Sequence, residues 1–70
     1  MKYITVKDEE GKIAVININN IVAVEQREPD KDVSIIYTTE DYFFITPLGV
    51  DDILCLIADA ESSMVYWFFL

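Results

Sequence analysis

Four turn signals divide residues 1–46 into short apolar runs, and this spacing constrains the fold more than any other feature of the sequence. The turns are predicted at residues 8–11, 17–20, 27–31 and 39–41, where Gly, Asn, Pro and Asp gather. These residue types favour turns because they accept positive φ, fix φ, or hydrogen-bond to the nearby backbone. Short runs rich in Ile and Val between closely spaced turns are typical of antiparallel strands.

Five strands are therefore predicted, at residues 2–7, 12–18, 21–26, 32–38 and 42–46. The first run alternates, with Ile4 and Val6 on one face and polar residues on the other. Residues 17–20 hold three Asn, which predicts a tight turn or one short helical turn. Pro29 cannot donate to a sheet ladder and helps to end the third strand. The order predicts an antiparallel β-meander.

One helix is predicted after the last strand, which makes the chain a single α+β domain over residues 1–70. Thr46 is expected as its N-cap and Pro47 as its first residue. Helical spacing gives an apolar stripe that is expected to pack on one face of the sheet, formed by Val50, Ile53, Leu54 and Ile57. Asp51, Asp52 and Asp59 lie on the opposite side. The helix is expected to stop at Ser62 and Ser63, because the stripe fails beyond them.

The chain has more apolar side chain than one small core can hide. Of its 70 residues, 53% are hydrophobic, including ten Ile and seven Val. A chain of this length buries only about 60% of its unfolded surface. The last two predicted strands are apolar on both faces, so one face is expected to pack on the helix and the other in an interface. Self-association into a homo-oligomer is the first expectation.

Residues 64–70 form an uncharged aromatic tail. Such a β-prone segment is an aggregation hazard when exposed, so we expect it to be covered. It could complete the core of its own chain, dock on another protein or touch a membrane, and it could form an extra strand or a further helical turn. Aromatic anchors dominate protein interfaces. The candidate interface residues are Tyr66, Trp67, Phe68 and Phe69, with Tyr42 and Phe43 as second choices.

The charge is negative and uneven. The net charge is −8, and residues 32–70 carry seven acids and no base. Direct binding of DNA or RNA is not expected, because it relies on Lys and Arg displacing counterions from phosphates. The simplest interpretation is a solvated face that keeps an apolar protein soluble. The alternative function is an acidic mimic of nucleic acid, of phage or plasmid type, which inhibits a DNA- or RNA-binding protein.

No motif predicts catalysis, so we expect the protein not to be an enzyme. The chain lacks His, and neither Ser62 nor Ser63 has a basic partner placed by a motif. Cys55 falls among the helical Asp residues, a poor setting for a nucleophile. Asp30, Asp32 and Ser34 share the first spacing of a calcium loop, but Ile replaces the Gly that such a loop needs. No cofactor, metal or small-molecule substrate is predicted.

The sequence predicts a cytoplasmic protein. Its start alternates like a strand and is followed at once by acids, which is unlike a secretory signal. The longest apolar run, residues 64–70, is too short for a membrane span, which needs about 20 residues. The single cysteine, Cys55, suits a reducing compartment.

The order of features over residues 4–57 resembles the FlbD-like family of short flagellar-operon proteins. The matching positions are Asn17, then Ile21, Val24 and Glu25, then Pro29-Asp30, Phe44-Ile45 and Val50-Asp51-Asp52-Ile53. The chain departs from the family at Glu40-Asp41, where the family tends to have Asn-Gly, in a longer middle loop, and in its tail. The resemblance implies a β-meander followed by a helix. It implies no catalytic residue.

Overall fold

The computed structural model describes the backbone of residues 2–69 and the side chains of residues 2–62. The fold is α+β, with five antiparallel strands followed by one helix, as predicted. The strands are β1 (Tyr3–Lys7), β2 (Ile13–Asn17), β3 (Ile21–Gln26), β4 (Ser34–Thr38) and β5 (Phe43–Thr46). The helix is α1 (Val50–Phe69), and a 3-10 turn spans Ile18–Asn20.

The predicted hairpin turns are confirmed by their backbone geometry. In the β1–β2 turn, Gly11 has φ +83°, a conformation that costs glycine little. The Asp8 carboxylate closes the same turn, because Oδ1 accepts hydrogen bonds from the backbone N–H groups of Glu10 (2.8 Å) and Lys12 (2.9 Å). Asp41 in the β4–β5 turn has φ +57°, which Asp tolerates better than most residues.

The strands form two sheets, β1–β2 and β3–β4–β5. The break falls at the 3-10 turn, so β2 and β3 are consecutive in the chain but do not pair. Asn17 caps this turn, with its side-chain Oδ1 accepting a hydrogen bond from the Asn19 N–H at 2.9 Å. The Asn-rich segment is thus the short helical turn that its composition predicted as one of two alternatives.

One core joins the two sheets and the helix. It receives alternate residues from the strands and one residue of α1 that is fully buried. Side chains alternate across a strand, so each strand sends only one of its faces inward. The buried hydrophobic residues are Ile4, Val6, Ile16, Ile36, Phe44 and Ile53.

The start of the helix differs from the prediction. Thr46 is the last residue of β5, fully buried opposite Ser34, and it does not cap α1. The first helical hydrogen bond runs instead from the Ile53 N–H to the Gly49 carbonyl (3.2 Å). The pairing of Thr46 with β4 overrides its local preference for an N-cap position, and Pro47 lies in the connection rather than in the helix.

The predicted end of the helix at Ser62 and Ser63 is also wrong, because α1 continues to Phe69. The Ser62 hydroxyl donates to the Asp59 carbonyl one turn earlier (3.3 Å), so this side chain is accommodated inside the helix. No Gly or Pro follows to stop the backbone. Among the described residues, no helix is long and apolar enough to cross a bilayer.

The buried side of α1 is shifted from the predicted stripe. Ile53 is fully buried and Ile57 partly so, but Leu54 is 52% exposed. Leu56 and Ala60 pack against the core in its place. Leu54 and Leu56 are equally apolar, so helical spacing alone does not determine which of them is buried. The contacts of α1 with β1 and β3 determine it.

Candidate functional site

The second sheet presents an apolar outer face, opposite the face that carries Ile36 and Phe44. Two rows of residues in register cross it. One row joins Ala23, Tyr37 and Phe43, and the other joins Glu25, Ile35 and Ile45. Because side chains alternate in strands, all six point away from the core. We call these six residues the outer face; only Glu25 among them is charged.

The outer face is open to solvent at one end. Phe43 is 56% exposed, and its neighbour Tyr42 is 60% exposed. Ile35, Tyr37 and Ile45 are half-buried. Side-by-side aromatic and β-branched pairs such as Tyr37–Phe43 and Ile35–Ile45 stabilise a sheet. They also leave an apolar surface that a partner can cover.

β5 lies at an edge of its sheet and has one unpaired side. The Thr38 N–H donates to the Tyr42 carbonyl (2.8 Å), which fixes the alternation of the β4–β5 ladder. Hydrogen-bonded pairs recur at every second residue of an antiparallel ladder. Phe44 therefore forms a hydrogen-bonded pair with Ile36, and Thr46 forms one with Ser34. It follows that the N–H and C=O groups of Phe43 and Ile45 point to the open edge.

Three cavities lie between the β1–β2 hairpin and the region of β5 and its flanking turns, and we call them together the inter-sheet cleft. The largest, about 670 Å³, separates residues 5–7 and Ile13 from residues 46–48 and α1. A second of about 230 Å³ separates residues 8–10 from residues 42–45. The third, about 220 Å³, separates residues 15–17 from residues 38–40 and Tyr42. The open edge of β5 therefore borders free space.

The largest cavity of the cleft has an apolar lining, whereas the charged residues that line the three cavities, which we call the rim, are mainly acidic. Val6, Ile13, Leu48 and Leu56 line the largest cavity. The charged residues that line the three cavities are one base, Lys7, and five acids, Asp8, Glu9, Glu10, Glu40 and Asp52.

One polar atom in the wall of the largest cavity has no partner. Thr46 is fully buried, and among the described residues its Oγ1 makes no hydrogen bond. The hydroxyl of Ser34, opposite it on β4, donates to the Leu48 carbonyl at 2.7 Å. A buried hydroxyl without a partner costs stability, because it lost its hydrogen bonds to water on folding.

The groups that could support chemistry do not converge. Ser34 points inward to Leu48, so it does not join Asp30 and Asp32 as a calcium ligand. No group of three His, Cys, Asp or Glu side chains in the described part of the chain is placed to hold a metal ion. Cys55 is exposed on α1, on the side away from the core, as expected.

The structure describes the side chains of two of the six predicted interface residues. Tyr42 and Phe43 are exposed at the edge of the outer face. The side chains of Tyr66, Trp67, Phe68 and Phe69 lie outside the described residues. The open edge of β5 and the cleft were missed, because they depend on how the two sheets pack. The exposure of Ile13 (68%) and Val15 (63%) was also missed. Their alternation with the inward residues of β2 could have predicted that they face outward.

The fold and the exposed surfaces define a small α+β protein with an apolar sheet face, an open strand edge and an acidic rim. No family model, curated protein or solved structure matches the chain significantly.

Proposed function

We propose that this protein is a non-catalytic, cytoplasmic interaction module that associates with itself through the outer face. The observation that carries the proposal is the pair of cross-strand rows, in which five of six residues are apolar. Interfaces bury apolar and aromatic residues at their centre and leave polar residues at their rim. Phe43 is the anchor, with Tyr42 beside it.

The aromatic tail is proposed as a second contact region. Tyr66, Trp67, Phe68 and Phe69 lie in the last turns of α1, in an uncharged segment. Trp and Tyr are enriched among the residues whose truncation weakens binding most. The resemblance to FlbD-like proteins stays a proposal as well, and it concerns the order of elements rather than an activity.

Light scattering on the full chain tests the proposal. We expect the mass of at least two chains, each of 8.1 kDa, at micromolar concentration. Phe43→Asp places a charge within the apolar surface that the interface would bury, and burying an unpaired charge is costly. This variant is therefore expected to be a monomer. Trp67→Ser combined with Phe68→Ser tests the tail, and it is expected to lower the mass if the tail contributes to association.

Leu54→Asp is the matched control, because Leu54 is equally apolar and 52% exposed but lies on α1. It is expected to keep the wild-type mass. A monomeric wild-type chain would refute self-association, and equal effects of Phe43→Asp and Leu54→Asp would refute the outer face as its site. Circular dichroism shows whether each variant is folded.

An acidic mimic of nucleic acid is the second candidate function. Asp51, Asp52 and Asp59 are exposed on one side of α1 and form no ion pair within the described residues. Such a surface would bind a basic protein with a strong dependence on salt, whereas association through apolar residues is nearly independent of it. Failure to retain any basic protein on the immobilised chain at low salt would exclude this candidate.

A further inference from the structure

We propose that the open edge of β5 binds an extended segment of a partner protein, in which apolar residues alternate with Lys or Arg. The segment adds a strand to the β3–β4–β5 sheet and lies in the inter-sheet cleft. This site is distinct from the outer face, which is a side-chain surface and not a strand edge.

The backbone of β5 supplies the first reason. Phe43 and Ile45 direct two N–H and two C=O groups to the open edge, and no described residue bonds to them. A strand edge with unpaired backbone groups is a template for another strand. Strand addition is a common way to bind extended peptides, with backbone hydrogen bonds giving affinity and alternate side chains giving specificity.

The cleft supplies the second reason, because free space lies beside this edge. Alternate side chains of an added strand point to opposite faces. One set would reach the apolar lining of the largest cavity, beside residues 46–48, which includes Ile13, Leu48 and Leu56. Apolar residues at these positions of the partner would remove that lining from water.

The charge of the rim indicates which residues the partner carries on the other face of the added strand. Among the described residues, five acids and one base line the cavities of the cleft, and two of the acids, Glu9 and Glu10, are paired with Arg27 and Lys12. Three acids without an ion pair, Asp8, Glu40 and Asp52, remain against Lys7, so the field of the cleft favours a cation. Complementary charge raises the rate of encounter and excludes wrong partners. A second copy of this chain carries a net charge of −8 and fits this rim poorly. A basic segment of another protein fits it well.

A synthetic peptide of seven residues that alternates Val with Lys serves as the probe, with binding measured by fluorescence anisotropy of a labelled copy. We expect saturable binding that weakens as salt rises. A peptide that alternates Val with Glu is expected not to bind. A Val–Lys peptide with methylated backbone nitrogens keeps its charge but cannot pair, and it is also expected not to bind.

Ile45→Pro removes the outward N–H of β5 and places a ring at the edge, while the β4 ladder continues through Phe44 and Thr46. We expect the affinity to fall at least about tenfold, which corresponds to about 1.4 kcal/mol. The matched control is Ile45→Ala, which loses the same side chain but keeps the N–H. It is expected to bind the peptide nearly as well as wild type.

Equal binding of the methylated peptide would show attraction by charge alone and overturn the proposal, as would undiminished binding by a folded Ile45→Pro variant. Absence of binding by the Val–Lys peptide would also overturn it. If Ile45→Pro does not fold, the comparison of methylated and unmethylated peptides on the wild-type chain decides the question. Because Ile45 also belongs to the outer face, its variants are compared at a concentration where light scattering gives them the same mass as wild type. The comparison of methylated and unmethylated peptides leaves the outer face unchanged.

Discussion

Two hydroxyl groups that face each other across β4 and β5 differ in their hydrogen bonding. Ser34 and Thr46 are both fully buried and occupy one cross-strand pair. The Ser34 hydroxyl donates to the Leu48 carbonyl and so holds the connection that leads into α1. The Thr46 hydroxyl makes no bond to any described residue. The same chemical group therefore stabilises the fold at one position and weakens it at the other.

Thr46→Val is expected to stabilise the protein. Valine has nearly the shape of threonine and removes the unpaired hydroxyl, whose burial costs about 1–3 kcal/mol. Urea unfolding followed by circular dichroism measures the change. Ser34→Ala is the opposite case, since it leaves the Leu48 carbonyl without its donor, and is expected to destabilise by about 1 kcal/mol. A loss of stability in Thr46→Val would show that its hydroxyl finds a partner.

At the scale of the element, the short 3-10 turn separates the two sheets and depends on one side chain. Asn17→Ala removes the acceptor for the Asn19 N–H and is expected to cost about 1 kcal/mol, as the loss of a helix cap does. Thermal unfolding measures the change in stability. Asn19→Ala is the control, because the Asn19 side chain is exposed and makes no hydrogen bond in the described structure. Equal effects of the two changes would contradict the capping role.

The sequence allowed the strands and turns to be predicted because their signals are local. Gly11, Asp41 and the Asn residues of the 3-10 turn each act through their own backbone conformation or near neighbours. The predicted strand limits differ from the observed ones by at most two residues.

The start of α1 could not be predicted in the same way. Thr46-Pro47 fits a helix start locally, but the partner of Thr46 is Ser34, twelve residues earlier in the chain. The exposure of Leu54 is also decided at long range, by the orientation of α1 on β1 and β3. The candidate site shows the same contrast. Tyr42 and Phe43 could be selected from the sequence because they are aromatic residues in a short hairpin, whereas the cleft could not be predicted because it forms only when the two sheets pack.

At the scale of the whole molecule, negative charge opposes the compact state. The net charge is −8, and the described ion pairs, Glu10–Lys12, Glu9–Arg27 and Glu28–Lys31, all lie at the surface. Exposed pairs contribute little to stability. One of them is placed usefully, since Glu9 and Arg27 (3.1 Å) link the β1–β2 turn to the loop after β3. We expect the repulsion among the other carboxylates to be the larger effect.

Stability is therefore expected to increase with sodium chloride, by a few tenths to about 1 kcal/mol, because salt screens repulsion between surface charges. Urea unfolding at several salt concentrations measures the effect. A variant with Asp59→Asn and Glu61→Gln carries two fewer negative charges, so it should be more stable at low salt and depend less on salt. Stability that falls as salt rises would show that the ion pairs outweigh the repulsion.

The single core has a consequence for synthesis on the ribosome. Ile53 of α1 completes a cluster that otherwise consists of residues from the two sheets, and α1 follows both sheets in the chain. A two-stranded hairpin alone is marginally stable in water, so β1–β2 is not expected to be stably folded before the rest of the chain is synthesised. The emerging strands remain without their core until α1 has left the exit tunnel. During that interval their Ile- and Val-rich segments expose apolar surface and unpaired strand edges, which makes the incomplete chain prone to aggregation.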